Sequence, residues 1–535
     1  MKIRPKPERN GSAPRWARVA ADDRVGRIAR QLKIFLEKTS HNRVRHSRRP
    51  RHPISFDELL NPAVNFAVSR LRRTGPRAAQ KIVAKSAWED LQRHLSARLA
   101  FALTPTLRLY QRAAEAVARS LGPIRQNGGR RRADRDITLL ETIIEFPDLL
   151  ETAAQLISAW IDAQRELFTR LWRDKADLCS VFLCGRERLR VAHIRLGLSD
   201  PHDGGRTATA VEFASHRRVI YKPRRSDREE LWFEALGWLN RNGVRVSFRV
   251  PKMLSRGNYV WVEFLQTKSC KSCRAVRLFY FRWGVQMALA QILRASDLHR
   301  DNWLAIGSQP ILVDAELIGD AEPVLRGKSK FKRGSPLPRL LQTGLLPLIS
   351  RDRAGFYRGV APLDATIPKS APPNCWPRYG RIFQEPSKYV NDLVRGYKTV
   401  AKAFTYPRTA ERFFREVVLR TGPQYHRVLL RPTAQYARLL RESCEARNML
   451  SAGERWRRLM RKCCASAANR RVALAEAGAL LRCDIPKFTI RRRAIPASWK
   501  QLSAAIVELK RSSRLLRGRV LLGTRGSRRR KKRTN

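Results

Sequence analysis

Ala295-Ser-Asp297-Leu-His299-Arg-Asp301-Asn302-Trp303, followed by Pro310-Ile-Leu-Val-Asp314-Ala-Glu316, is the stretch on which the reading of this chain turns. It sets an Asp, a His and an Asn within six residues, and a short apolar strand, Ile311–Val313, then delivers two further carboxylates. A loop carrying Asp and Asn, then a strand ending in Asp, is a spacing by which phosphotransferases orient a nucleophile and hold the metal ions on ATP. The background sharpens the signal, because the chain has 109 Lys and Arg against 46 Asp and Glu. Asp301 alone reads as a solvated turn residue. Asp314 closes an apolar run that is expected to be buried, and buried acids need partners. A metal-ligand role for His299 finds no second His nearby.

Working outward, Val276–Leu293 is an apolar helix that feeds this loop. Upstream lies a strand-rich region beginning at Val181–Leu183 and Leu189–Leu196. Asp200-Pro-His202-Asp-Gly204-Gly205-Arg206 makes a turn, and Ala210–Phe213 and Val219-Ile-Tyr221-Lys222 follow as strands. Turn, strand and Lys is the way a nucleotide-binding lobe covers phosphates with backbone N–H groups and adds one ammonium. A Gly-Gly turn without Lys222 is an ordinary hairpin. Asp227–Asn240 reads as a helix offering Glu229, Glu230 or Glu234 to Lys222. Val244–Val250 and Asn258–Leu265 read as further strands, the second alternating Tyr259, Trp261 and Glu263 with Val260, Val262 and Phe264. A small β-rich lobe with a Lys, a helix, a catalytic loop and a strand ending in Asp is the order of a protein- or lipid-kinase core.

Residues 54–175 are expected to be a helical domain. Ser55-Phe-Asp-Glu58 has the form of a capping box, and an apolar stripe runs at helical spacing from Leu149 to Leu171 behind Pro147, a residue suited to a helix start. Residues 1–53 are basic and expected to be disordered, apart from an apolar patch at Ile28–Leu36, and 517–535 form a basic tail. The expected division is therefore 1–53, a helical domain 54–175, a β-rich nucleotide lobe 176–270, a catalytic lobe with C-terminal helices 271–516, and the tail. Arg427 and Thr433 fall at a strand-to-helix turn leading to Tyr436.

At 535 residues and 43% hydrophobic content, the chain has room for two or three domains and a sizeable core. No apolar run approaches the roughly 20 residues needed to span a bilayer, and the N-terminus lacks the apolar segment of a secretory signal. Nine Cys without a paired zinc spacing read as reduced thiols in a cytoplasmic protein. A net charge of +63 attracts polyanions, nucleic acid among them; a general preference for Arg in the source genome gives the same composition with no such partner.

In the order of its motifs the chain resembles the dehydratase domain of class II lanthipeptide synthetases, the LanM family. That family's Gly-Asp-x-His-x-x-Gly is matched by Ser199-Asp-Pro-His202-Asp-Gly-Gly205, and its Tyr-Lys-Pro-Arg by Tyr221-Lys222-Pro223-Arg224, with Trp238-Leu-Asn240 after it. Its Asp-x-His-x-Glu-Asn becomes Asp297 to Asn302 with Asp301 in the Glu position, and its Asp-Leu-Glu becomes Asp314-Ala315-Glu316. Thr343-Gly-Leu-Leu-Pro347 and the spacing of Arg427, Thr433 and Tyr436 also match, as does Phe56-Asp-Glu-Leu-Leu-Asn-Pro62. The resemblance runs from residue 54 to about residue 500 and departs at Asp301, Ala315 and Leu317, which leave the charges in place.

The resemblance implies an α+β, lipid-kinase-like bilobal catalytic core carrying an N-terminal helical domain and C-terminal helices. It implies ATP- and Mg²⁺-dependent phosphorylation of Ser or Thr in a precursor peptide, then elimination of the phosphate. Asp297, His299, Asn302, Asp314 and Glu316 would serve phosphorylation, with Lys222, Asn302, Asp314 and Glu316 at the nucleotide and Asn302, Asp314 and Glu316 at the metal. His202, Lys222, Arg427 and Thr433 would serve elimination. The family's cyclase zinc site needs a His beyond this region, and the last His here is His426, so the expectation is a dehydratase acting alone, with a separate cyclase as a possible partner. Two rivals stand beside it: a peptide Ser/Thr kinase that does not eliminate, and a degenerate kinase-like fold that binds nucleic acid.

Overall fold

The computed structural model describes residues 23–46, 56–120, 125–126, 129–130, 139–183, 189–242, 246–318, 340–347, 361–364, 367, 372–419, 423–428, 430–450, 453–465, 467, 469–493, 502–509 and 512. Ser55, the expected cap, and the 517–535 tail lie outside them. The architecture is α+β and dominated by helices. Contacts divide the chain into two compact units, 1–218 with 433–486, and 219–432 with 487–535.

In the first unit the central helix is Pro147–Arg173, with Pro at its first turn. It buries Leu149, Leu156, Trp160, Leu167, Phe168 and Leu171, each worth about 2 kcal/mol when removed from water. Trp88, from the helix Lys85–Ser120, meets Phe168 edge-on at 5.5 Å. The Asp23–His46 segment, expected to be largely disordered, is a helix. Ile28, Leu32 and Leu36 recur every four residues and are buried, so this stripe has a surface to pack on despite its basic surroundings. Lys175–Phe182 is also helical, where a strand was expected around Val181.

Val191–Arg195 pairs antiparallel with Thr209–Phe213. The Ser86 hydroxyl donates to Ala192 O at 2.6 Å and Asp90 accepts from Ile194 N at 3.1 Å, tying this pair to the Lys85–Ser120 helix. Asp148 accepts from Gly453 N at 2.9 Å and from Arg455 N at 3.4 Å at the start of the Glu454–Cys464 helix. There its charge complements the positive end of the helix dipole.

The second unit is built on the crossing of two helices, Cys273–Ile292 and Val390–Ala403. A Cβ at Gly284 would sit 1.9 Å from Leu393 O, and one at Gly396 would sit 1.9 Å from Phe281 O. No side chain fits either position, so the two backbones pack directly on one another.

Three antiparallel strands lie in the order Arg218–Lys222, Val260–Glu263, Met253–Ser255, with Tyr221 opposite Trp261 and Lys222 opposite Val260. The Met253–Ser255 strand had no expectation behind it, and residues 246–250, expected in a strand, join no ladder. Trp303–Ile306 and Gln309–Leu312 form a hairpin around Gly307, whose φ of 57° suits a residue without Cβ. Phe488–Arg493, expected to be helical, pairs antiparallel with Pro423–Val428 and sets Arg427 opposite Thr489. Its Phe-Thr-Ile opening is strand-prone, and this local preference prevails over the helical surroundings.

Candidate active site

The second unit gathers Lys222, Asp297, His299, Asn302, Asp314, Glu316 and Arg427, together with Arg224 of the Tyr-Lys-Pro-Arg motif and Glu229, one of the three acids offered to Lys222. Lys222 ends a strand, is buried, and points its ammonium at Glu229 Oε1 and Val313 O, both at 2.6 Å. Of the three candidate partners, the structure uses Glu229 from the first turn of the Asp227–Arg241 helix. Glu230 accepts from the Ser226 hydroxyl at 2.6 Å, and Glu234 pairs with Arg241 at 2.9 Å.

Arg224 is the hub. Its Nη2 donates to Glu229 Oε1 at 2.8 Å and to Asp314 Oδ1 at 3.1 Å, and its Nε bonds to Glu316 Oε1. Arg427 Nη1 donates to the other oxygen, Glu316 Oε2, at 2.7 Å. Charges therefore alternate along a chain: Lys222, Glu229, Arg224, Glu316, Arg427. Burial opposes the charge on Glu229, yet Arg224 and Lys222 more than reverse that and hold the carboxyl below its ordinary range. Burial acts the same way on Glu316 and is outweighed by Arg224 and Arg427, which keep it ionised far into acid. The same carboxylates raise both guanidiniums above their usual value against the pull of desolvation.

Asp314 differs from its neighbours. Its side chain is 39% exposed, and desolvation lifts its carboxyl above the ordinary value in spite of Arg224. It also receives the Glu316 backbone N–H at 3.3 Å. Asp297 is likewise raised, chiefly by desolvation, with His299 opposing. Its φ of 59° lies in the left-handed region, which non-glycine residues seldom occupy.

The surroundings fix that conformation. Asn302 Nδ2 donates to Asp297 O at 2.8 Å, Leu298 N donates to Thr343 O at 2.8 Å, and Ser296 N donates to Leu317 O at 2.8 Å. Thr343 also accepts from Leu345 N through its hydroxyl at 3.2 Å, so the Thr-Gly-Leu-Leu-Pro segment is a brace for the Asp297 loop. His299 Nδ1 accepts from Asp301 N at 3.3 Å, which in the neutral ring leaves the proton on Nε2. Asp301 itself is exposed, as a solvated turn residue should be.

His202 and Thr433 belong to the other unit. His202 sits on the 201–206 turn, with Nδ1 at 2.7 Å from Ile485 O. Thr433 is the first residue of the helix Thr433–Ser443. Tyr436 of the same motif is buried and donates to Glu476 at 2.5 Å.

Among the described residues no three His, Cys, Asp or Glu side chains form a metal cage. Mg²⁺ on a nucleotide does not need one: one or two carboxylates suffice, the phosphates and water completing its shell. Asp314, partly exposed, and the amide oxygen of Asn302 are groups of that kind. Glu316, expected among the metal ligands, has both oxygens on guanidiniums.

Residues 146–361 and 361–491 match the family described as "Domain of unknown function (DUF4135)", more than half of the 535 residues. The chain belongs to that family. It is also 21% identical over 279 residues to the lacticin 481/lactococcin biosynthesis protein LcnDR2 of Lactococcus lactis subsp. lactis, over 45% of this chain and 30% of that protein. The match thus spans less than a third of the length of that relative. Motifs and matches agree that the chain is LanM-like, a relative of the lanthipeptide synthetases. Among the described residues no helix is long and apolar enough to cross a membrane.

Proposed function

We propose that the protein is a lanthipeptide-type dehydratase on a lipid-kinase-like bilobal core, phosphorylating Ser or Thr of a ribosomally made precursor peptide with ATP and then eliminating the phosphate. One observation carries this reading. Two guanidiniums, Arg224 and Arg427, are held on the two oxygens of a single carboxylate, Glu316. That carboxylate lies two residues from Asp314, whose side chain is 39% exposed and also bonded to Arg224. A kinase needs the acids, and a site that expels phosphate needs fixed cations for the leaving oxygens.

In the first step Asp297, its carboxyl made more basic by desolvation, takes the proton of the peptide hydroxyl. The hydroxyl oxygen bonds to the γ-phosphorus as the bond to ADP breaks. Asp314 and Asn302 would hold Mg²⁺, which when bound neutralises phosphate charge. Lys222, paired with Glu229, and Arg224 face the transferred group. In the second step a base removes the α-proton, the Cα–Cβ double bond forms and the Cβ–O bond breaks. Arg427 and Lys222 take up the charge of the departing phosphate. For His202 and Thr433 the support is the motif match. A precursor peptide as partner, and a separate cyclase acting afterwards, go with this reading.

Calorimetric titration of a non-hydrolysable ATP analogue with Mg²⁺ tests the nucleotide half. Binding to the unaltered protein, and its loss in Asp314→Ala at an unchanged thermal midpoint, is the expected result. A wild-type protein that takes up no nucleotide contradicts the proposal.

A further inference from the structure

The first unit buries a cluster that the dehydratase chemistry does not use. Arg455 is 1% exposed, and its side chain donates to Thr152 Oγ1 at 3.0 Å, Leu481 O at 2.8 Å, Leu480 O at 3.1 Å and Ser443 Oγ at 3.4 Å. All four acceptors are neutral. The nearby carboxylate, Asp148, spends both oxygens on backbone N–H groups. A buried guanidinium is costly unless something anionic lies beside it. Among the described residues its other side-chain hydrogen bonds go to two sulfurs from one nitrogen, Nη2: Cys483 Sγ at 3.2 Å and Cys444 Sγ at 3.7 Å. The Cys444 thiol first, and the Arg455 guanidinium that both sulfurs share, bring the Cys483 thiol down to about 6, while Cys483 and then burial push Cys444 up. Both sulfurs are buried, so only a small uncharged oxidant suits them; Cys483, the sulfur nearer the guanidinium, is set as the nucleophile and Cys444 as its resolving thiol. Both are unbridged in the structure.

We propose that Cys483 and Cys444 form an arginine-held redox dithiol whose substrate is hydrogen peroxide or a small hydroperoxide. Cys483 sulfur attacks a peroxide oxygen: the S–O bond forms, the O–O bond breaks, and the departing hydroxide or alkoxide is protonated to water or an alcohol. Cys444 sulfur then attacks Cys483 sulfur: the S–S bond forms, the S–O bond breaks, and the hydroxide leaves as water with the Cys444 proton. The thiols lose two electrons and the peroxide gains them.

The position of the pair gives the bond a mechanical consequence. Cys483, itself left-handed at φ 58°, begins a strap that grips the 201–206 turn. Asp484 accepts from Gly204 N at 2.6 Å and Gly205 N at 2.8 Å, while Ile485 O meets His202 and Ile485 N donates to Pro201 O at 2.8 Å. Cys444 directly follows the Thr433–Ser443 helix. A disulfide therefore ties the segment that holds His202 to the helix that starts at Thr433. It bears on elimination only insofar as the proposed function stands; the dithiol itself does not depend on that reading.

The test is a peptide map of the full-length protein after brief hydrogen peroxide treatment and alkylation. The expected product is a dithiothreitol-reversible cross-link between the Cys444 and Cys483 peptides, formed before the exposed Cys273 and Cys464 react. Cys444→Ser should leave Cys483 as a sulfenic acid that dimedone captures, and Cys483→Ser should abolish both products. Should either variant fail to fold, the wild-type map decides alone. Full alkylation of Cys444 and Cys483 while Cys273 and Cys464 are oxidised overturns the proposal.

Discussion

Lys222 Nζ donates to Glu229 Oε1 at 2.6 Å, joining the end of a strand to the first turn of a helix seven residues on. Glu229 is 2% exposed and also carries Arg224. Removing one member of such a buried network leaves the others charged and unpaired, which costs about 3–5 kcal/mol. Glu229→Ala should lose stability on that scale in urea unfolding, since it leaves the buried Lys222 ammonium with no carboxylate bonded to it and takes one of three from Arg224. A loss below about 1 kcal/mol would mean that the alternating charge chain does not organise the site.

Arg427 separates the two steps of the proposed reaction. Its guanidinium is anchored on Glu316 and has the planar fork that phosphate oxygens accept. Arg427→Ala should let phosphopeptide accumulate, with phosphorylation changed by less than about threefold and elimination slowed by about a hundredfold or more. Mass spectrometry of the product over time distinguishes the species. A variant that dehydrates at the wild-type rate removes Arg427 from the mechanism.

His94 makes the first unit sensitive to acid. Burial first, and Arg98 second, bring its imidazole down to about 4 from an ordinary value near 6.5. The folded state therefore holds His94 neutral where the unfolded chain would protonate it. The stability this confers is complete above pH 6.5 and is lost as pH falls toward 4; it amounts to about 3 kcal/mol. His94→Gln should flatten the dependence of thermal midpoint on pH across that window. An unchanged slope would show that His94 does not couple folding to protons.

The sequence made the second unit's site legible because its chemistry is local. Asp297, His299 and Asn302 share one turn, and Asp314 and Glu316 follow one hairpin. The Pro147–Arg173 helix was legible from its apolar stripe and the Pro at its start. Glu316 shows the limit: its residue type and spacing fit metal binding, and only the fold reveals that Arg224 and Arg427 take both of its oxygens. Arg224 was hidden by composition, one Arg among many, although it stands two residues after Lys222 in the same motif. The Ile28–Leu36 stripe was outweighed by the charge around it, since pattern alone does not say whether a partner surface exists. The buried Arg455 gave no local signal, because its partners come from residues 152, 443, 444, 480, 481 and 483.

The most direct measurement of the central claim is the mass of a Ser/Thr/Cys-rich precursor peptide, taken from an open reading frame beside the gene, after incubation with the purified full-length protein, ATP and Mg²⁺. The account predicts loss of one water per modified Ser or Thr, dependent on ATP and abolished in Asp314→Ala. A product that stops at phosphopeptide with the unaltered protein would contradict the elimination half. A peptide whose mass does not change, while the same protein binds nucleotide, would contradict the assignment as a dehydratase.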